Sequence, residues 1–136
     1  MLPAWAREYI GLPFKYGGRD RHGVDCYGLV LLVLNERFGL LAPDYAYDDP
    51  PGTPALNSMF AQGMLETIWT RCTIPRLGDV ILLKTGGLPM HCGIVITPNR
   101  MLHAMPQTAS CLERFDTPSW SHRLRGFFRH GGMIDA

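Results

Sequence analysis

The chain has 136 residues, of which 46% are hydrophobic and 18% are charged, and its formal net charge is +1. This composition is typical of a globular domain with an ordinary hydrophobic core and excludes a disordered or fibrous chain. A net charge so close to zero gives no electrostatic reason to expect a nucleic-acid partner. We therefore expect residues 1–136 to form a single domain that does not bind nucleic acid.

The sequence shows no sign of export or of membrane insertion. Charged Arg7 and Glu8 interrupt the opening segment, so the apolar stretch of a signal peptide does not follow Met1. The longest apolar run, Leu29–Leu34, is far too short to cross a bilayer. We expect a protein that is cytoplasmic when synthesised.

The first half of the chain predicts helices. Pro3–Ile10 is predicted to form a short helix, because proline is favoured at the first helical position. A glycine-rich loop, Leu12–Val24, follows it. Residues 26–38 predict a second helix, with Asp25 as its N-cap and Gly39 as its C-terminal stop. Apolar residues run almost all round this second helix, which is typical of a buried one.

The second half of the chain predicts strands. A third helix is predicted from Pro54 to about Trp69, and the pattern then changes to short apolar runs. Strands are predicted at Asp79–Lys84, His91–Ile96, Arg100–Ala104, Ser110–Phe115 and Arg125–Arg129. Helices followed by strands indicate an α+β fold with an antiparallel sheet rather than an alternating parallel one.

Cys26 is the candidate nucleophile. It lies in the first turn of the predicted second helix, where unpaired backbone N–H groups favour a thiolate over a thiol. Gly17 and Gly18 precede it and allow a sharp turn and the close approach of a substrate. The backbone N–H groups of Asp25 and Cys26 are candidate donors to an oxyanion. The alternative is an ordinary core cysteine.

Two histidines are candidate partners of this thiol. A cysteine hydrolase needs a base that takes and returns the proton, and a group that orients the base. His91 begins a predicted strand and His103 lies on the next one, so antiparallel pairing can bring the two together. The alternative for each is an ordinary hydrogen-bonded histidine on a strand.

Zinc binding is the rival chemistry, because a tetrahedral site takes cysteine and histidine ligands. The candidate ligands are Cys26, His91, Cys92 and His103. Neighbouring residues on a strand point to opposite faces, so Cys92 is expected to face away from the site that contains His91. This argues against a metal, and we predict neither a metal nor a cofactor. The three other cysteines are interpreted as small buried hydrophobes in a reduced protein: Cys72, Cys92 and Cys111.

Three blocks of the chain resemble the NlpC/P60 cysteine peptidases. The first joins Tyr9–Gly18 to Gly23–Leu29, the second is Gly78–Leu83, and the third joins His91–Val95 to Leu102–Ala104. The resemblance implies a papain-like α+β fold, with the nucleophile helix packed on an antiparallel sheet. It also implies that Cys26 is the nucleophile, His91 the general base and acid, and His103 the group that orients His91.

The resemblance extends to a biological setting. The sequence Asp-Cys-Tyr-Gly-Leu around Cys26 and the segment Trp120–Arg129 resemble phage tail-associated members, which include cell-wall peptidases and tail assembly proteins. They imply a peptidase that hydrolyses peptidoglycan stem peptides, commonly at the bond between D-γ-glutamate and a diamino acid, within a phage or prophage tail. The alternatives are a structural tail-tip component with little or no activity, and a related amidase or acyl-transfer chemistry.

Four residues near Cys26 are candidate substrate contacts: Asp25, Phe14, Tyr16 and Tyr27. Two of them depart from the family pattern. Many members have serine at the position of Tyr27 and tyrosine at the position of Phe14. These departures leave the substrate pocket as the least defined part of the prediction.

Overall fold

The computed structural model describes residues 2–44, 68–84 and 91–133. Within these ranges a 3-10 helix, Ala4–Tyr9, and one α-helix lie against a six-stranded antiparallel sheet, which is the predicted α+β fold. The longer elements are α1 (Cys26–Phe38), β3 (Trp69–Cys72), β4 (Val80–Leu83), β5 (His91–Thr97), β6 (Arg100–Met105), β7 (Thr108–Arg114) and β8 (Leu124–His130). Two short strands, β1 (Arg19–Asp20) and β2 (Gly23–Val24), form a separate small hairpin.

The helix α1 begins and ends at the residues that the sequence predicts. The Asp25 side chain accepts a hydrogen bond from the backbone of the first turn, as an N-cap does. Gly39 follows the helix in the left-handed conformation, with φ of 63°, which suits glycine best. Residues Leu29–Leu34 are buried or half-buried, so the helix is largely enclosed.

The sheet has the strand order β3-β8-β4-β5-β6-β7, and all of its neighbouring strands are antiparallel. In the register of its central strands, Gly93 is paired with His103, and His103 is paired with Cys111 on the edge strand β7. Since paired residues share a face of the sheet, this register decides which side chains meet His103.

Both faces of the sheet are covered. Cys92, Ile94 and Leu102 pack on the side of α1, while Val95 and Met101 pack in a second apolar cluster. The central strand β5 is therefore buried along its whole length. A strand enclosed on both faces explains why its sequence is apolar without clear alternation.

Several elements differ from the sequence predictions. The first helix is a 3-10 helix one residue shorter at each end, and the predicted loop Leu12–Val24 contains β1 and β2. The third helix lies mostly outside the described residues, but its predicted last residue, Trp69, instead begins the strand β3. The five predicted strands are present, with ends shifted by two residues or fewer.

Two predictions concern the chain as a whole: the absence of a membrane-spanning helix and the single-domain organisation. Among the described residues, no helix combines the length and apolar character needed to span a bilayer. The single-domain organisation of residues 1–136 stays a prediction.

A buried ion pair ties β8 to the start of β4. The Asp79 carboxylate is 0% exposed and accepts hydrogen bonds from Arg129 Nε at 2.9 Å and Arg129 Nη2 at 2.7 Å. The backbone N–H of Arg76 donates to the same carboxylate at 2.8 Å. Removing one partner of such a pair leaves an uncompensated buried charge.

We expect Arg129→Met to destabilise the protein by about 3 kcal/mol or more, because Asp79 would then be charged and unpaired in the interior. The matched control is Arg114→Met. Arg114 makes the same two-pronged contact with Asp116, at 2.9 and 2.9 Å, but this pair is exposed and its loss should change stability little. Urea unfolding of the three proteins measures both effects. Equal losses in the two variants would contradict this assignment.

Candidate active site

The Asp25 carboxylate organises the start of α1, where Cys26 is the first helical residue. Asp25 Oδ1 accepts from the Gly28 backbone N–H at 2.7 Å, and Oδ2 accepts from the Gly17 N–H at 2.9 Å. Arg19 Nη1 also donates to Oδ1, at 2.9 Å. One carboxylate therefore joins the helix end, the glycine loop and β1, and it holds Cys26 between them.

Close backbone packing explains the glycines around this carboxylate. A Cβ atom on Gly28 would lie 1.9 Å from the Gly18 carbonyl oxygen, and one on Gly18 would lie 2.2 Å from the Gly23 carbonyl oxygen. Both distances are shorter than any real contact between such atoms. The loop can therefore lie directly on the first turn of α1 only because these residues have no side chain.

The environment of Cys26 favours its ionised form. A hydrogen bond from the Cys92 thiol, together with a hydrogen bond and the positive charge from His91, holds the pKa of Cys26 well below its ordinary value. Burial and the Asp25 charge oppose this effect but do not outweigh it. For Cys92, burial and the neighbouring Cys26 raise the pKa, so its thiol stays protonated and acts as the donor. The Cys26 thiolate therefore accepts a hydrogen bond from the Cys92 thiol.

This contact corrects the expectation that Cys92 faces away from the site. His91 and Cys92 do leave β5 on opposite faces, since His91 contacts Trp120 while Cys92 packs on the side of α1. The start of α1 lies on that second side, so Cys92 lies against Cys26. The rule of strand alternation is right, but the sequence does not reveal on which side of β5 the nucleophile lies.

His91 and His103 lie in contact, as predicted from the order of their strands. His91 Nε2 and His103 Nδ1 are 2.8 Å apart, and His103 Nε2 is 2.8 Å from Glu113 Oε1. Both histidines are buried, whereas the Glu113 side chain is partly exposed at the edge strand β7. The three side chains form one line of hydrogen bonds that begins at solvent and ends beside Cys26.

The protons along this line follow from the hydrogen-bonding capacity of each group. Burial and the neighbouring His91 lower the pKa of His103 to about 4, so this ring is neutral at pH 7. A carboxylate only accepts, so the hydrogen-bond network assigns the single His103 proton to Nε2, facing Glu113. His103 Nδ1 then accepts from His91 Nε2–H. His91 Nδ1 is then the nitrogen that takes the proton of Cys26.

Trp120 covers the histidine pair. Its ring stacks on His91 with centroids 5.9 Å apart and meets the edge of His103 at 5.4 Å. Trp120 is itself buried. Trp120 lies in the connection between β7 and β8, and no local sequence pattern links it to the histidines.

Glu113 belongs to this line of hydrogen bonds and is absent from the residues predicted from the sequence. Alternation along β7 places Glu113 and Cys111 on the face that carries His103, and Cys111 Sγ lies 3.5 Å from His103 Nε2. The alternation that puts Glu113 and Cys111 on one face of β7 can be recognised in the sequence. However, the pairing of β6 with β7 shifts between His103 and Met105, so counting back from the hairpin turn gives no reliable register.

The four predicted substrate contacts lie in the loop before α1, at its N-cap and in its first turn. Phe14 and Tyr16 are half-buried, with their rings edge to face at 4.8 Å. Tyr27 is buried and its hydroxyl donates to the Pro43 carbonyl at 2.7 Å. Asp25 is engaged by the three donors described above. Substrate contact by these residues stays a prediction.

Protonation of His103 should destabilise the folded protein in mild acid. Its pKa is about 4 in the folded protein against an ordinary value of 6.5, so the unfolded chain takes up the proton first as the pH falls. Stability is therefore lost between about pH 6.5 and pH 4, by up to about 3 kcal/mol, and no further loss from this group follows below pH 4.

Urea unfolding at a series of pH values tests this, with His103→Gln as the variant. The slope of stability against pH in this window should be clearly smaller in His103→Gln than in the wild-type protein. His22→Gln is the control, since His22 lies exposed in the loop between β1 and β2. An unchanged slope in His103→Gln would rule out this histidine as the source.

Known proteins share sequence with most of this chain. The model of the NlpC/P60 family matches residues 11–129. The chain is 28% identical over 116 residues to the murein DD-endopeptidase MepS/murein LD-carboxypeptidase of Escherichia coli K12, covering 85% of this chain and 54% of that protein. It thus spans about half the length of that relative.

Two further relatives are matched over more of their length. A probable endopeptidase of Haemophilus influenzae is 30% identical over 123 residues, which cover 89% of this chain and 68% of that protein. The tail tip assembly protein K of Escherichia phage lambda is 28% identical over 141 aligned residues, covering 95% and 68% of the two chains.

A solved structure supports the fold. The NlpC/P60 domain of the peptidoglycan hydrolase SagA superposes with a TM-score of 0.60 at 19% identity, covering 93% of each chain. This superposition shows the fold, and the match of the family model over residues 11–129 shows the family. The chain belongs to the NlpC/P60 family.

Proposed function

We propose that this protein is a cysteine peptidase that hydrolyses amide bonds in peptidoglycan stem peptides, with Cys26, His91 and His103 as its catalytic residues. The observation that carries the proposal is the continuous line of contacts from the Cys26 thiol through His91 and His103 to Glu113. It supplies the nucleophile, a base beside it and a group that orients the base, which are the parts that acyl transfer needs.

In the first step, the Cys26 thiolate attacks the carbonyl carbon of the scissile amide and His91 carries the proton on Nδ1. The backbone N–H of Cys26 at the start of α1 is the candidate donor to the oxyanion, since helix N-termini present N–H groups and a partial positive charge. His91 then donates its Nδ1 proton to the leaving amine. The C–N bond breaks, and the acyl group remains on Cys26 as a thioester.

In the second step, water replaces the amine. His91 Nδ1 takes a proton from the water as its oxygen attacks the thioester carbonyl, and the C–S bond breaks. The products are a carboxylic acid, which releases its proton to solvent and leaves as a carboxylate, and the regenerated Cys26 thiolate beside a protonated His91. Throughout both steps, the neutral His103 accepts from His91 Nε2–H and keeps the ring oriented.

The substrate class is supported by the relatives. MepS is a murein DD-endopeptidase and LD-carboxypeptidase, and SagA is a peptidoglycan hydrolase. The family resemblance favours the bond between D-γ-glutamate and a diamino acid, whereas the name of MepS describes DD and LD bonds. We propose the γ-glutamyl bond, and the products of cleavage distinguish it from the others.

A phage tail is the proposed setting, where the enzyme would open the cell wall locally during infection. Its support is the match to the tail tip assembly protein K of phage lambda. The same match favours a second candidate, a tail-tip component that keeps the fold without appreciable catalysis. The buried, complete set of Cys26, His91 and His103 favours the enzyme, because a purely structural role gives no reason to place a thiolate beside a base.

Purified muropeptides incubated with the protein and examined by mass spectrometry test the proposal. Wild-type protein should split the stem peptide with the addition of one water, and the fragment masses identify the bond. Cys26→Ala should reduce the rate by roughly a thousandfold or more, because the nucleophile is gone. Cys72→Ala is the matched control, since Cys72 is a half-buried thiol on β3 that contacts Asp79 and not the histidines.

The outcomes separate the two candidates. Cleavage by wild type and Cys72→Ala but not by Cys26→Ala supports the peptidase. Absence of cleavage in every preparation, including whole cell-wall sacculi and assembled tails, supports the structural role. Cleavage that survives Cys26→Ala would contradict the proposed nucleophile.

A further inference from the structure

Three potential metal ligands meet behind the histidine pair, on the side away from Cys26. His103 Nε2 lies 2.8 Å from Glu113 Oε1 and 3.5 Å from Cys111 Sγ, and the three ligand atoms all lie within 4.8 Å of one another. Of these three residues, only His103 belongs to the zinc site that the sequence analysis considered. We propose that His103, Cys111 and Glu113 form an inhibitory zinc site.

The ligand types favour zinc over other common cations. Imidazole, thiolate and carboxylate all bind Zn²⁺, and three protein ligands leave a fourth position for water. The thiolate disfavours Mg²⁺ and Ca²⁺, which prefer oxygen ligands. A thiolate and a carboxylate also balance the two charges of the ion, so the bound site is neutral, which suits a half-buried position.

The geometry needs only small movements. Metal–ligand distances of about 2.0–2.3 Å in a tetrahedron place ligand atoms roughly 3.3–3.6 Å apart. The 3.5 Å between Cys111 Sγ and His103 Nε2 already fits, whereas the 2.8 Å between His103 Nε2 and Glu113 Oε1 must lengthen. Glu113 must move outward from His103, and it is a long side chain that is 43% exposed. Both Cys111 and Glu113 lie on the edge strand β7, so an ion can reach them from solvent.

Zinc at this position would reverse the protons of the histidine pair. Coordination through Nε2 moves the single proton of neutral His103 to Nδ1, and Cys111 releases its thiol proton to solvent. His103 Nδ1–H then points at His91 Nε2, which must become an acceptor. The charged His91 gives up its Nε2 proton and Cys26 takes up a proton, so that a neutral His91 keeps its proton on Nδ1, facing Cys26. The thiol of Cys26 is then un-ionised, and His91 has no free nitrogen to accept its proton.

The inhibition rests on the proposed function, whereas the binding of zinc does not. Binding is therefore measured first, with Zn²⁺ titrated against a chromogenic zinc indicator in the Cys26→Ala protein, which lacks the nucleophile as a competing ligand. We expect one ion per chain, no competition from Mg²⁺, and affinity weaker by tenfold or more when Cys111→Ala or Glu113→Gln is added. Undiminished affinity in both double variants would overturn the site.

The coupling is measured by the rate at which iodoacetamide alkylates Cys26, followed by peptide mass spectrometry, with and without Zn²⁺. This readout does not depend on peptidase activity. Zinc should slow alkylation of Cys26 by tenfold or more in the otherwise unchanged protein, and should have no such effect in Cys111→Ala. Because Cys111 contacts His103, each rate with zinc is compared with the rate of the same protein without zinc.

Two results would contradict the coupling. Equal protection of Cys26 in Cys111→Ala would show that zinc binds the nucleophile itself. Binding at the proposed site without any change in the alkylation rate would show that the ion does not reverse the histidine protons. Failure of the muropeptide assay, in contrast, would leave both zinc measurements interpretable.

Discussion

The buried carboxylate of Asp25 is the constraint on which the site depends. It accepts from the backbones of Gly17 and Gly28 and from Arg19, and so holds the glycine loop against the first turn of α1. Cys26 follows it directly, and the direction of its side chain is set by where the helix begins. Moving the cysteine by one position along α1 would turn the direction of its side chain by about 100° about the helix axis.

The sheet supplies the second half of the arrangement, and it does so through register rather than through local sequence. Pairing of β5, β6 and β7 places His91, His103 and Glu113 in one line, with Trp120 covering the rings. Burial keeps His103 neutral, and a neutral ring with its proton toward Glu113 can only accept from His91. The orientation of His91 therefore depends on the Glu113 carboxylate, which lies two hydrogen bonds away from it at the edge of the sheet.

The parts of this site that were predictable are those encoded by local signals. The cap at Asp25, the stop at Gly39 and the apolar runs of β4 to β6 mark their own elements, and the hairpin between β5 and β6 is short enough to pair the histidines. The contributions of Cys92 and Glu113 were missed because they depend on which face α1 covers and on an irregular register between β6 and β7. The strand β3 was missed for a similar reason, since it is defined by its pairing with β8, whose residues lie 60 or so positions away in sequence.

The central claim is that a neutral His103, protonated on Nε2, orients His91 toward an ionised Cys26. Nitrogen-15 NMR of the histidine rings tests it most directly, because protonated and unprotonated ring nitrogens have distinct chemical shifts, and His103→Gln assigns the signals. At pH 7 the account predicts that His103 is neutral with its proton on Nε2, and that His91 carries a proton on Nε2. A His103 ring that is charged at pH 7, or neutral with its proton on Nδ1, would contradict the account.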